Sequence, residues 1–352
     1  MKTPTSLCAD ALTIDETIAT IGLVGSIGPK EGRFTAKAPT QMERRSVLVS
    51  RDTVPVVHSA SSIPRWRSLL FVPAHVSRFV ETAYDRGADA VILDLEDSVP
   101  QDQKGEARRQ LPESVTKVGR NGASVLIRVN RGLRALAADL EAAVVPGVNA
   151  LVLPKVESAE WVMEVADAVT ELEHERYLDA GSVRFVAQIE TPGALTRLAA
   201  IASAHPRMAA MALGPEDFSA AVGGTPGPEL LLGPNLSVLF AARARGLLPL
   251  GFVGSIGEFS DTQKFRDVVM QARRLGFVGA LAIHPTQVAI LNEAFSPSAE
   301  ELEWARRVLV AETDAGAEGR GAFALDGKMV DAPVVRRARE IIAMGPKAEL
   351  GV

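Results

Sequence analysis

From Arg67 onward, short apolar runs alternate with stretches whose apolar residues return every three or four positions. The runs at 68–72, 90–95, 124–129, 150–153, 185–189, 208–213, 249–253 and 280–283 are short and nearly continuous. That is the pattern of strands covered on both faces. Between them, Val76, Phe79, Val80 and Ala83 mark one helix face, and helices are expected over 102–118 and 133–144. Trp161, Val162, Val165, Val169 and Leu172 mark a longer helix, with Ser158 as its N-cap. A short helix is expected at 194–203, a Gly/Pro-rich loop after the sixth strand, and a helix near 235–245. Phe265, Val268, Val269 and Ala272 define one more, capped by Ser260 and stopped by Gly276.

Eight strand–helix units in succession predict an α/β fold of the TIM (β/α)8 type, which usually takes ~250 residues. A doubly wound sheet would carry a G-x-G-x-x-G turn after its first strand. Here that strand runs into Val72-Pro73-Ala74-His75, which has no such glycines. Three segments are expected: a poorly ordered extension over 1–62, the barrel over 63–295, and a C-terminal helical tail over 296–352. In the tail, Ser298 and Glu301 form a capping box, and a last helix is expected over 333–344.

Composition narrows the function classes. The chain has 352 residues, 47% of them hydrophobic, and a net charge of −5 with the two signs interspersed. That balance excludes the strongly basic footprint of a nucleic-acid binder. No apolar run is long enough for a membrane-spanning helix. Cys8 is the only cysteine, so no internal disulfide forms, which fits a cytoplasmic setting. The five histidines lack the spacing of a zinc site.

Candidate chemistry gathers where strands end. Glu190, in Gln188-Ile189-Glu190-Thr191-Pro192-Gly193, and Asp217, in Leu213-Gly214-Pro215-Glu216-Asp217, close successive strands. In a parallel barrel both reach the same rim. Two carboxylates with several retained waters suit Mg²⁺, with Mn²⁺ as a substitute. Arg128 closes the third strand and Arg67 opens the first. Each reads either as a fork for a substrate carboxylate or as half of a salt bridge inside the barrel. For Arg67 the bridge would run to a residue of Asp94-Leu95-Glu96-Asp97. Asp94, Glu96 and Asp97 read equally as partners of metal-bound water or as charges paired with Lys104 or Arg108. Asp331 by itself reads as the N-cap of the last helix, and His284 as a local cap.

The stretches Arg67-Ser68-Leu69-Leu70-Phe71-Val72-Pro73 and Gly87-Ala88-Asp89-Ala90-Val91-Ile92-Leu93-Asp94-Leu95-Glu96-Asp97 resemble the citrate lyase β-subunit-like family of HpcH/HpaI-type aldolases. The resemblance continues through Arg128-Val129-Asn130, Leu153-Pro154-Lys155, the Glu190 and Asp217 segments, Ile283-His284-Pro285 and Asp326-Gly327-Lys328-Met329-Val330-Asp331. One departure is Ala74, where members often carry Gly. The resemblance implies a TIM barrel assembled as a homotrimer or a hexamer. It implies Mg²⁺ on Glu190 and Asp217, and a substrate carboxylate or carbonyl on Arg67 and Arg128. It also implies that Asp331 enters a neighbouring subunit's site as acid/base, in place of its plain capping role.

The expected activity is then cleavage of a β-hydroxyacyl-CoA, such as malyl-CoA or citramalyl-CoA, to an acyl-CoA and a 2-oxo acid. Competing readings are a citrate lyase β subunit acting on a citryl thioester, a malyl-CoA thioesterase, and an inactive barrel acting as a scaffold.

Overall fold

The computed structural model describes residues 65–257, 260–317 and 321–345. The extension expected over 1–62 lies outside them. Eight parallel strands follow one another: β1 (Ser68–Pro73), β2 (Ala90–Asp94), β3 (Ser124–Arg128), β4 (Ala150–Leu153), β5 (Arg184–Ile189), β6 (Met208–Leu213), β7 (Leu248–Leu250) and β8 (Ala280–Ala282). Each pairs with the next up to β7, and β8 pairs with β1. A single bridge, Leu250 to Gly279, joins β7 to β8 and closes the ring. There the Gly251 N–H donates to the Gly279 carbonyl at 2.9 Å. A side chain at residue 279 would put its Cβ 1.8 Å from the Trp66 carbonyl oxygen, so the closure requires glycine.

Alternation along each strand sorts side chains into two cores. Leu69, Ala90, Ile92, Leu126, Ala150, Val152, Val186, Ala210, Ala212, Leu250 and Leu281 fill the barrel. The intervening residues, among them Leu70, Val91, Ile127, Leu151, Ala187 and Met211, pack outward with the helices. By this parity Asp94, Arg128, Gln188 and Glu190 continue the inward rows toward the C-terminal rim.

Several local features match the sequence. Ser158 caps its helix by accepting from the Trp161 N–H at 3.3 Å, Gly276 ends another in the left-handed region at φ 111°, and Ser298 and Glu301 exchange both bonds of the capping box. Others differ. The cap before Thr262–Leu275 is Asp261, one residue beyond Ser260. β7 stops at Leu250 rather than 253, because Gly251 takes φ 145°, which breaks the strand. The expected loop after β6 begins with a helix, Pro215–Val222, with proline in its first turn and Gly223 as a left-handed C-cap. Proline belongs at a first turn, so the same residues that signal a loop also start this helix.

The tail has its own core of Leu302, Ala305, Val308, Val330, Val335, Ala338 and Ile341. Its helices, Ala299–Ala317 and Ala332–Ala343, flank a hairpin of β9 (Phe323–Leu325) and β10 (Lys328–Val330). Asp326 and Gly327 turn the hairpin with φ 52° and 71°, the two positive values of a type I′ turn. The barrel holds the tail through Arg65 Nη1, which donates to the Gly345 carbonyl at 2.8 Å, and the Arg273–Glu301 pair at 2.5 Å. Among the described residues, no helix is long and apolar enough to cross a membrane.

Candidate active site

Strand register sets Asp94 of β2 beside Arg128 of β3. Arg128 donates from Nε to Asp94 Oδ1 at 2.7 Å and from Nη2 to Oδ2 at 2.6 Å. Its Nη1 lies 2.9 Å from Glu96 Oε2. The guanidinium also stacks on the Phe71 ring, 4.7 Å from its centroid. Asp94 accepts further bonds from the backbone N–H groups of Glu96 and Ser98. Burial opposes charge on both members of the pair. Their mutual bonds and attraction outweigh it, lowering the pKa of Asp94 and raising that of Arg128.

Lys155 extends the network from the end of β4. Its Nζ donates to Glu96 Oε1 at 2.8 Å and to Asp97 Oδ2 at 3.3 Å. Its backbone is left-handed, φ 50°, a strained conformation for a side chain of this size. Arg131 steadies it: Nε donates to the Lys155 carbonyl at 3.3 Å, while the guanidinium sits 4.1 Å from the Trp161 ring centroid. Burial raises the pKa of Glu96, and Arg128 and Lys155 counter this only in part.

Glu190 follows β5 and is 2% exposed. Its Oε2 has no hydrogen-bond partner. Burial, then the charges of Glu96 and Asp217, push its carboxyl up to about 8, against weaker pulls from Lys155 and Arg128. Asp217 lies in the first turn of Pro215–Val222, where the helix dipole favours a negative charge. Beside it, Glu216 accepts from the Ser255 hydroxyl at 2.5 Å. Glu190, Asp217, Arg128, Asp94 and Gln188 all line one pocket of about 240 Å³ at the C-terminal rim, with Phe71 and Leu281 as apolar wall.

These residues fit a hard divalent cation. A buried carboxylate oxygen without a partner needs a proton or a positive charge. Asp217 lines the same pocket, and Glu190 feels its charge. Among the described residues, no three His, Cys, Asp or Glu side chains converge on one point. A two-carboxylate site whose remaining positions are filled by water matches magnesium's preference for keeping its waters.

The sequence-predicted residues do not all meet. Glu190, Asp217, Arg128 and Asp94 come together in the pocket, with Glu96 and Asp97 joined to it through Arg128 and Lys155. Lys104 and Arg108 are not the partners of these carboxylates. Lys104 Nζ binds the carbonyls of Leu95 and Glu96, and Arg108 pairs with Asp139.

Arg67 is a correction. Its Nε and Nη2 grip Asp89 at 2.7 and 2.6 Å, and its Nη1 reaches Ser296 Oγ at 2.9 Å. Asp89 precedes β2, so this pair closes the N-terminal rim, opposite the pocket. A residue at the start of β1 cannot span the packed interior to reach the other end. The salt-bridge reading was right in kind, but the partner lies outside 94–97.

Asp331 caps Ala332–Ala343 and is not among the pocket's lining residues. Gln188 lines the pocket and Lys155 joins its charge network, and neither stands out in the sequence as a candidate. Inward parity with Glu190 marks Gln188, whereas nothing local marks the left-handed turn at Lys155.

Two carboxylates and an arginine line one pocket at the C-terminal rim of a parallel barrel, the face on which enzymes of this fold carry their active sites. The sequence profile of the HpcH/HpaI aldolase/citrate lyase family matches residues 67–285, and the chain belongs to this family. It is 34% identical to the citrate lyase subunit beta of Escherichia coli (strain K12), over 81% of this chain and 93% of that protein. It is 32% identical to the L-malyl-CoA/beta-methylmalyl-CoA lyase of Rhodobacter capsulatus, over 81% of this chain and 96% of that one. Among solved structures it resembles Mycobacterium tuberculosis CitE in complex with magnesium, acetoacetate and coenzyme A. The TM-score is 0.61 at 32% identity, covering 79% of this chain and 97% of that one.

Proposed function

We propose that the protein is a Mg²⁺-dependent CoA-ester lyase that cleaves a β-hydroxyacyl-CoA, such as malyl-CoA or citramalyl-CoA, to an acyl-CoA and a 2-oxo acid. The observation that carries this reading is the partnerless buried oxygen of Glu190 in a pocket that also holds Asp217 and Arg128. Glu190 and Asp217 would hold the cation, which when bound supplies Lewis-acid polarisation of the oxygen on the departing 2-oxo acid.

The remaining work falls to side chains. Arg128, fixed by Asp94 along one edge and by Glu96 at Nη1, offers the N–H bonds these two leave free to the substrate carboxylate. Asp331 of a neighbouring subunit takes the hydroxyl proton as the carbon–carbon bond breaks. The bond's electron pair passes to the carbon alpha to the thioester, and a proton restores the acyl-CoA. Support for a second subunit comes from Met329, two residues before Asp331 and 73% exposed on the hairpin. An apolar side chain so placed suits burial against another copy, in a trimer or hexamer. The single cysteine suits a cytoplasmic enzyme.

The test is a panel of malyl-, methylmalyl-, citramalyl- and citryl-CoA with Mg²⁺, following both the 2-oxo acid and free CoA. Release of glyoxylate or pyruvate with acyl-CoA supports the lyase. Free CoA without 2-oxo acid makes it a thioesterase. Activity only on a carrier-protein thioester makes it a citrate lyase β subunit. No Mg²⁺ binding at millimolar metal returns the inactive scaffold.

A further inference from the structure

β5 ends in two buried oxygens that no protein group satisfies: Glu190 Oε2 and, two residues earlier, Gln188 Oε1. The proposed cation accounts for the first. It leaves the second unexplained.

Gln188 is 4% exposed and lines the pocket. Its backbone carbonyl is occupied by the Val156 N–H at 3.1 Å. Its cross-strand neighbour on β6 is Ala212, which offers no polar side chain. Val186, two residues back on the same inward row, packs among purely apolar residues. An apolar side chain at 188 would therefore extend that row without leaving any polar atom unpaired. A buried amide oxygen with nothing to accept from is unfavourable, and folded proteins rarely keep one unless a ligand or water supplies the donor.

We propose that Gln188 is a ligand-contacting residue whose Oε1 accepts a hydrogen bond from an O–H group brought into the pocket. The donor is water on the bound cation or the hydroxyl of the substrate. The inference deepens the reading of this pocket as a Mg²⁺ and hydroxyacyl site and rests on it. It adds a fixed acceptor to the inward face of β5, for an O–H group that the cation or the substrate carries into the pocket.

The experiment compares wild type with Gln188→Leu and Gln188→Met by titration calorimetry and thermal melting. The probes are MgCl₂ alone, then L-malate and succinate in saturating Mg²⁺; these two acids differ only in the hydroxyl. If the donor is cation-bound water, both variants bind Mg²⁺ about tenfold more weakly without any organic ligand. If it is the substrate hydroxyl, Mg²⁺ binding holds, malate weakens about tenfold, and succinate is unchanged. In either case the unliganded variants melt no lower than wild type, because an unpaired amide has been removed.

Variants that bind all three probes like wild type overturn the proposal. So do variants that melt lower and lose malate and succinate equally, which would mark Gln188 as packing. A wild type that binds Mg²⁺ and malate but cleaves no CoA ester sinks the proposed reaction and leaves Gln188 standing. A wild type that binds none of the probes overturns both.

Discussion

Gly214 is a glycine because of Glu190. A Cβ on residue 214 would stand 2.6 Å from Glu190 Cγ and 3.0 Å from its Oε1. The φ of Gly214 is an ordinary −90°, so the constraint is space and not backbone conformation. Gly214→Ala should therefore push the Glu190 carboxylate out of place while the barrel still folds. We expect Mg²⁺ affinity to fall by ~10-fold or more, with a stability loss of about 1–3 kcal/mol, the range for overpacking. Calorimetric Mg²⁺ titration and thermal melting separate the two; unchanged affinity would mean that Glu190 does not bind the cation.

The raised carboxyl of Glu190 makes metal binding pH-dependent. Its pKa moves from the ordinary 4.5 to about 8 in the folded, metal-free protein. Between those values the folded state keeps a proton that the unfolded chain has lost. Its contribution to stability is full below 4.5 and is lost as pH rises through about 8. Mg²⁺ must displace that proton, so binding at pH 7 should release most of one proton. Calorimetry in buffers of different ionisation enthalpy reads this directly. The Mg²⁺-induced rise in melting temperature should also be larger at pH 8 than at pH 6.

Arg128 neutralises Asp94, whose side chain is 1% exposed. Arg128→Leu would leave that carboxylate buried and unpaired, at a cost of about 3–5 kcal/mol. Asp94→Asn and Arg128→Leu combined should be less destabilised than the sum of the single changes. Additive losses in a double-mutant cycle would show that the pair is not coupled.

Asp331→Asn should keep Mg²⁺ affinity and lose turnover by ~10²-fold or more. If Asp331 serves a neighbouring subunit, mixing this variant with Glu190→Gln and reassembling the two should restore part of the activity. A mixture as inactive as its parents would confine Asp331 to its capping role.

Arg67 should matter for stability and not for turnover. Arg67→Met removes the grip on Asp89 and Ser296 at the far rim. The melting temperature should fall while kcat/KM per folded molecule stays near wild type. A rise in KM for the 2-oxo acid, measured in the condensation direction, would bring Arg67 back to the site.

Much of this architecture is legible in the sequence. Two strands, Ala150–Leu153 and Met208–Leu213, match their predicted limits because both are uninterrupted apolar runs. That Glu190, Asp217 and Arg128 meet in one pocket is readable because a parallel barrel assigns every strand end to one rim. Arg67 is less legible: its place before β1 is visible, but its partner Asp89 sits 22 residues on. The helix at Pro215–Val222 was hidden by its own Gly and Pro. Gln188 could be assigned to the inward face by parity, yet its missing partner is a fact about all its neighbours at once. The hairpin at Asp326-Gly327 went unread, because strands of three residues carry too little alternation to be seen.

β2 is preceded by one aspartate and ends in another. Asp89 holds Arg67, just before β1, below, and Asp94 holds Arg128 of β3 above. At about 3.3 Å per residue the two clasps stand roughly 16 Å apart along the same strand. One bolts the scaffold and the other presents the reagent. Heat tolerance can therefore be tuned at the base of this molecule without touching the pocket, whereas a change to the upper clasp alters ligand contacts and stability together.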